Sequence, residues 1–151
     1  MFDLRPSMLD HLGLVPALRW YTETRLSESG TRTRIREMGE PSRLPAAVET
    51  ALYRVVQEAI NNIARHSNAQ NAELAFEFTN DRVEIRVSDD GSGFDLAGLK
   101  GAPDGKRGLG LMGMEERMSV IGGELRIQSY PGNGTTIHLI APIQASDNGK
   151  D

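Results

Sequence analysis

The stretch that decides the fold is Asn71-Ala72-Glu73-Leu74-Ala75-Phe76-Glu77-Phe78-Thr79-Asn80-Asp81-Arg82-Val83-Glu84-Ile85-Arg86-Val87-Ser88. Ala72, Leu74, Phe76 and Phe78 alternate with Glu73 and Glu77, the period of a strand with one buried face. Val83, Ile85 and Val87 repeat the pattern, and Asn80-Asp81 between the runs predicts a two-residue hairpin turn. A hairpin that is apolar on one side needs a cover. The segment before it supplies one: Pro45 opens a helix over residues 45–66, with Val48, Leu52, Val55, Val56, Ala59 and Ile63 in one stripe. Residues 14–29 read as a second helix with Pro16 in its first turn, and residues 111–121 as a third that stops at Gly122-Gly123. Residues 31–38 alternate as a strand with Arg32, Arg34 and Arg36 on one face, which suits a charged sheet edge. Leu125 and Ile127, then Ile137 and Leu139, mark two more strands joined by a turn at residues 131–134. Hairpin strands with one apolar face, and helices to cover that face, predict an α+β chain folded as a two-layer α/β sandwich.

Composition narrows the chemistry. The chain has 151 residues, enough for one domain with a substantial core, and a formal charge of −4. That balance gives no reason to expect nucleic acid as a partner. With no cysteine, disulfides, thiol nucleophiles and cysteine-held metals are excluded, and a reducing, cytoplasmic setting fits. The three histidines, His11, His66 and His138, make no His-x-x-x-His pair. No apolar run approaches the roughly 20 residues of a membrane span, so membrane contact is not expected of this chain. Residues 144–151 are polar and read as a tail.

Four short motifs carry the functional reading. Glu58 and Asn62 are four apart on the long helix and share one face, with Asn61 and Arg65 beside them. An amide oxygen is a neutral ligand for Mg²⁺ that keeps phosphate oxygens and waters, and Glu58 can orient a water or act as a base. Asp89-Asp90-Gly91-Ser92-Gly93 ends the second hairpin strand, where a carboxylate can accept from an exocyclic amine while Gly91 and Gly93 let backbone approach a planar base. A calcium loop fits less well, because Lys100 stands where its bidentate glutamate belongs. Gly108-Leu109-Gly110-Leu111-Met112-Gly113 opens the third helix, where glycine backbone and a helix start suit phosphates, and Lys106 and Arg107 can add charge. Its spacing matches the dinucleotide fingerprint, but it follows a polar loop rather than a strand. Gly132-Asn133-Gly134-Thr135-Thr136 reads by itself as a hairpin turn. Together these are the parts of an ATP site without a P-loop sequence.

In this order the motifs resemble the ATP-binding catalytic domain of bacterial sensor histidine kinases, in the superfamily that includes gyrase B subunits and a class of heat-shock chaperones. Glu58 to Asn62 is similar to the family's N box, Asp89-x-Gly91-x-Gly93 to its G1 box, Gly108-x-Gly110 to its G2 box, and Gly132 to Thr136 to its Gly-Thr segment. The runs Gln57 to Ser67 and Gly108 to Met118, with Leu4 to Leu18 upstream, resemble the nitrate-sensor-type subfamily. The resemblance implies a Bergerat-type fold, a mixed, mostly antiparallel sheet covered on one face by helices. It implies ATP and Mg²⁺ as cofactors, with Asp89 on the adenine amino group and Asn62 on the metal. Glu58 and Asn61 would support phosphate and metal, Gly108 and Gly110 would meet phosphates, Thr136 would reach adenine through water, and residues 95–107 would form the lid.

The resemblance also divides the chain into a linker over residues 1–13, a catalytic domain over 14–143 and the tail. The family's phosphorylated histidine lies on a dimerisation helix ahead of this region. The surroundings of His11 do not resemble that acceptor motif, so the implied partners are a separate dimerisation and histidine-acceptor domain and, indirectly, a response regulator. Two rival readings share the superfamily: an anti-sigma-type serine kinase, which the linker-like Leu4–Leu18 segment disfavours, and a degenerate ATP-sensing module, which the intact boxes disfavour.

Overall fold

The structure is a computed structural model and describes residues 6–95 and 106–143, with backbone alone at 67 and 106–109. Five strands form one sheet: β1 (Arg32–Met38), β2 (Asn71–Phe78), β3 (Arg82–Asp89), β4 (Glu124–Ser129) and β5 (Thr135–Pro142). Their order is β1-β2-β3-β5-β4. The β1–β2 pair is parallel and the other three pairs are antiparallel, so the sheet is mixed and mostly antiparallel, as the family resemblance implies. The hairpin that decides the fold closes at Asn80-Asp81, where the Thr79 amide donates to the Arg82 carbonyl at 2.9 Å.

The helices are α1 (Ser7–Leu12), α2 (Leu14–Glu28), α3 (Ala46–Asn62) and α4 (Lys106–Val120). Alternation along each strand turns Leu74, Phe76, Val83, Ile85, Val87, Ile137 and Leu139 toward them, and all seven are buried. α3 lies between α2 and α4, so burial reaches beyond its single stripe to Tyr53 and Ile60. Leu18, Leu52 and Met118 complete the layer from the three helices. The other sheet face stays polar, with Arg34 and Arg36 of the edge strand β1 reaching Glu73 at 3.9 and 3.6 Å.

Two findings go beyond the sequence reading. The segment assigned to a linker contains α1, and its Leu9 is fully buried in the core. A brace holds it there: the Arg43 guanidinium donates to the Leu9 and Asp10 carbonyls at 3.4 and 3.3 Å and to both oxygens of buried Glu49 at 3.0 and 3.1 Å. The hydrogen bond and charge of Glu49 raise the Arg43 pKa. Second, α3 passes at Ile63–Ser67 into a π turn, which ends at Asn68 in the left-handed region (φ 55°). Such turns widen a helix locally and often sit at functional sites.

Candidate nucleotide-binding site

A cleft of about 540 Å³ lies between α3 with its π turn, the ends of β3 and β5, and the first turns of α4. Val87, Ile127 and Ile137 of the sheet and Leu111 and Met114 of α4 supply its apolar walls. Its polar lining includes Glu58, Asn62, Arg65, His66, Asp89 and Thr135. The volume and the mix of apolar wall with a few convergent polar groups suit a small-molecule site.

Asp89 sits where β3 ends. Alternation from buried Val87 turns its side chain to the helical layer and into the cleft. One carboxylate oxygen accepts the Gly91 amide at 2.8 Å. Burial raises the Asp89 pKa, the Gly91 amide opposes that, and the neighbouring Asp90 charge adds to it. The next residue does different work. Asp90 accepts from the Gln70 and Asn71 amides at 3.0 and 2.9 Å and from the Asn71 side chain at 2.8 Å, which holds its pKa below the ordinary value. Asp90 therefore ties down the start of β2, and Asp89 remains available to a ligand.

Residues 91–94 are fastened to the β4–β5 hairpin. The Gly132 amide donates to the Ser92 carbonyl at 2.6 Å, and the Phe94 amide to the Ser129 hydroxyl at 2.9 Å. Gly93 (φ +65°) presses on Tyr130, and a Cβ there would stand 2.2 Å from the Tyr130 carbonyl oxygen. The Ser92 hydroxyl also donates to the His66 carbonyl at 3.4 Å, joining this loop to the π turn. Gly93 lines the cleft, whereas Gly91 serves it through Asp89.

On α3 the two neighbouring asparagines separate. Glu58 and Asn62 face the cleft, and among the described residues no hydrogen bond engages either side chain. Asn61 is turned about a quarter of the way round the helix, away from the cleft. Its Oδ1 accepts from the Tyr21 hydroxyl at 2.6 Å and from Arg25 Nε at 3.0 Å, both on α2. Asn61 thus does not line the cleft, and its acceptor is already engaged by α2. Thr136 does not line it either. It pairs with Ser88 and Gln128 and turns to the open sheet face, while Thr135, in phase with Ile137, lines the cleft and lies 2.8 Å from the Ser129 hydroxyl.

α4 begins at Lys106, so Gly108 and Gly110 lie inside its first turns rather than ahead of it. Helix-interior glycine costs about 1 kcal/mol relative to alanine. At Gly110 the neighbourhood supplies a reason, since a Cβ would stand 3.2 Å from Glu58 Oε2. At Gly113 nothing lies within 4 Å of such a Cβ, and the contacts give no reason. Residues 96–105 of the expected lid lie outside the described residues, as do the side chains of Lys106 and Arg107 and the contacts expected of Gly108. Arg65, His66, Phe94 and Thr135 are lining residues that the sequence reading did not assign.

These features place a strand-end carboxylate and an amide-bearing helix face on one cleft. Residues 47–145 match the family described as histidine kinase-, DNA gyrase B- and HSP90-like ATPase, and the chain belongs to that family. It is 35% identical over 147 residues to the signal transduction histidine-protein kinase/phosphatase DegS of Brevibacillus brevis, covering 97% of this chain and 37% of that protein. It is 42% identical over 144 residues to the sensor histidine kinase MctS of Rhizobium johnstonii, covering 95% and 31%. The oxygen sensor histidine kinase NreB of Staphylococcus carnosus is 34% identical, covering 93% and 40%. The chain thus spans about a third of the length of these relatives. Among solved structures, the catalytic domain of histidine kinase ThkA shares the fold with a TM-score of 0.70 at 16% identity, covering 86% of this chain and 90% of that one. The resemblance to nitrate-sensor-type kinases is borne out by these relatives.

Proposed function

We propose that this chain is the ATP-binding catalytic unit of a sensor histidine kinase, giving the γ-phosphate of ATP to a histidine on a dimerisation domain and, through it, to a response regulator. Residues 14–143 would be the catalytic domain, joined through residues 1–13 to the acceptor domain, with a cytoplasmic setting. Among the described residues no helix is long and apolar enough to cross a membrane. The observation that carries the reading is the cleft itself. It has a carboxylate fixed by a backbone amide at the end of β3, and it has Glu58 and Asn62 with their side chains unspent.

Asp89 accepts from the adenine amino group, with one oxygen already oriented by Gly91. The apolar walls around Val87, Ile137 and Met114 take the ring faces and exclude water. Asn62 and Glu58 offer two oxygen donors, too few to cage Mg²⁺ unaided and suited to an ion that brings phosphate oxygens and waters. When bound, Mg²⁺ neutralises charge on those phosphate oxygens. Arg65 and His66 line the same cleft and can face the phosphates, and the start of α4 adds a helix N-terminus. The protein's share of the transfer is position and charge.

Calorimetry with ADP lacking metal, and with ATP with and without Mg²⁺, tests the binding half. Asn62→Ala should lose the magnesium-dependent gain for ATP and keep metal-free ADP binding. Equal magnesium gains in the two proteins would refute the assignment of Asn62. Acid-labile label from radiolabelled ATP on an added dimerisation domain tests the transfer half, and no label would refute it.

A further inference from the structure

Asn61 stands next to the proposed metal ligand but faces the wrong way to join it. Its Oδ1 is held by two donors from a different helix, Tyr21 at 2.6 Å and Arg25 at 3.0 Å. Tyr21 is itself fixed. Its ring meets Tyr53 of α3 edge-on, with centroids 6.1 Å apart and planes at 67°. Arg54 in turn lies over the Tyr53 ring at 5.7 Å. The contact therefore runs from the end of α3 to α2 and back to α3 two turns earlier, at Tyr53. Asn61, where the two donors converge, sits two residues before the α helix gives way to the π turn at Ile63. A π turn inserts an extra residue into one turn and changes the direction of every side chain after it. Arg65 and His66, which line the cleft, lie on that turn. Where the transition falls decides where these two point, and it also decides whether Asn62 stays on the face of Glu58.

We propose that Asn61 is a positioning residue: by accepting from Tyr21 and Arg25 it locks the end of α3 to α2 and so aims Asn62 at the metal and Arg65 and His66 at the phosphates. The inference rests on the proposed ATP site and assigns to α2 a part in that site which no cleft contact reveals. A single-turn transition has little of its own to hold it, because the wider hydrogen-bond pattern competes with ordinary helix at each neighbouring residue. Two convergent donors on one carbonyl, one of them a cation, are the kind of contact that fixes such a choice. The partly buried setting strengthens them relative to solvent-exposed bonds.

The test separates positioning from folding and from direct ligation. Asn61→Leu keeps the size and removes the acceptor, Tyr21→Phe removes one donor and keeps the ring contact with Tyr53, and Asn61→Asp keeps the acceptor. Each is titrated with metal-free ADP and with ATP with and without Mg²⁺, and its melting temperature is recorded. Asn61→Leu should lower the magnesium-dependent gain in ATP affinity about tenfold, and Tyr21→Phe about threefold, the scale of one or two hydrogen bonds. Metal-free ADP affinity should fall by less than that gain, because Asp89 on β3 keeps its adenine contact while only the aim of Arg65 and His66 at the phosphates is lost. Asn61→Asp should retain the gain. A drop in melting temperature with an unchanged magnesium gain would overturn the proposal and make Asn61 a folding residue alone. Loss in Asn61→Asp as large as in Asn61→Leu would overturn it in favour of direct contact by the amide. If Asn61→Leu does not fold, Tyr21→Phe decides by the same criterion. A magnesium gain absent from the unsubstituted chain would overturn the ATP site and this inference with it, whereas a gain present there and unchanged in the variants would overturn this inference alone.

Discussion

Gly134→Ala should damage the adenine end of the cleft, and Gly132→Ala, two residues away in the same turn, is its control. Both glycines have positive φ, +75° and +84°. An alanine at either position pays the left-handed strain, about 1–2 kcal/mol. Only at Gly134 does a clash follow. A Cβ there would stand 2.1 Å from the Asp89 carbonyl oxygen and 3.0 Å from its carbon, whereas at Gly132 nothing lies within 4 Å. An ordinary carbon–oxygen contact needs about 3.3 Å, so the turn and the end of β3 must part by about 1 Å. Overpacking of that order adds about 1–3 kcal/mol. For a domain of this size, about 2 kcal/mol of extra destabilisation is a further fall of roughly 4–8 °C in melting temperature. The displaced residue is the one assigned to adenine, so ADP affinity should fall about tenfold or more in Gly134→Ala and stay near the unsubstituted value in Gly132→Ala. Differential scanning calorimetry and ADP titration of the two variants side by side give both readouts. Equal melting temperatures and equal ADP affinities would refute the view that Gly134 is required by close approach to Asp89.

Further outcomes follow from the same cleft. Asp89→Asn should weaken ADP binding by about tenfold or more, the worth of a hydrogen bond to a charged acceptor. In the unsubstituted chain ADP affinity should fall on acidification at a pH above the ordinary aspartate range, because burial has raised this pKa. The sign for stability is opposite: a raised carboxyl costs the fold only while ionised, so acid relieves that cost and affinity should be lost before the fold is. An ADP titration series against pH, with melting temperatures, checks both, and an affinity flat to the ordinary aspartate range would contradict the burial of Asp89. Thr135→Val should lower ADP affinity a few-fold, through the lost hydroxyl and its contact with Ser129. Thr136→Val should leave affinity within about twofold, since its side chain is on the open sheet face; the reverse ranking would restore the first assignment.

The hairpin over residues 71–88 carries its fold openly because both of its periodicities agree with its burial. Helix α1 was not legible as structure. Six residues give no period, and a single inward side chain, Leu9, gives no stripe. Its hold on the domain comes from Arg43, more than 30 residues later, bridging to Glu49. The strand-end position of Asp89 and the i, i+4 spacing of Glu58 and Asn62 already place all three on the cleft. The strand phase of Ile137 and Leu139 already puts Thr135 inward and Thr136 outward. Asn61 could not be resolved from spacing on α3 alone, because what decides its role is Tyr21 and Arg25 on another helix. The close approaches of Gly93 to Tyr130 and of Gly134 to Asp89 are likewise contacts between segments about 40 residues apart, where sequence shows only turn residues.

One regularity explains why the site was half legible. Three pairs of adjacent, chemically similar residues occur at it: Asn61 and Asn62, Asp89 and Asp90, Thr135 and Thr136. Neighbours on a strand point to opposite faces, and neighbours on a helix are about 100° apart. Each pair must therefore divide its labour, and in each the structure gives one member to the cleft. In two of them the other member holds the frame. Asp90 ties the start of β2, just past the π turn, to the end of β3. Asn61 ties the end of α3 to α2. The frame members' acceptor oxygens already have partners, while no described hydrogen bond engages the Asn62 side chain and Asp89 keeps one oxygen free of them. That contrast is physical, since a group already satisfied by protein donors gains little from a ligand, whereas an unspent one gains a full hydrogen bond. It yields a rule for mutation at this site: the cleft member changes affinity with little change in melting temperature, and the frame member changes both through geometry. Asp90→Asn, which loses charge against two backbone amides and the Asn71 side chain, should therefore lower the melting temperature more than Asp89→Asn while weakening ADP binding less.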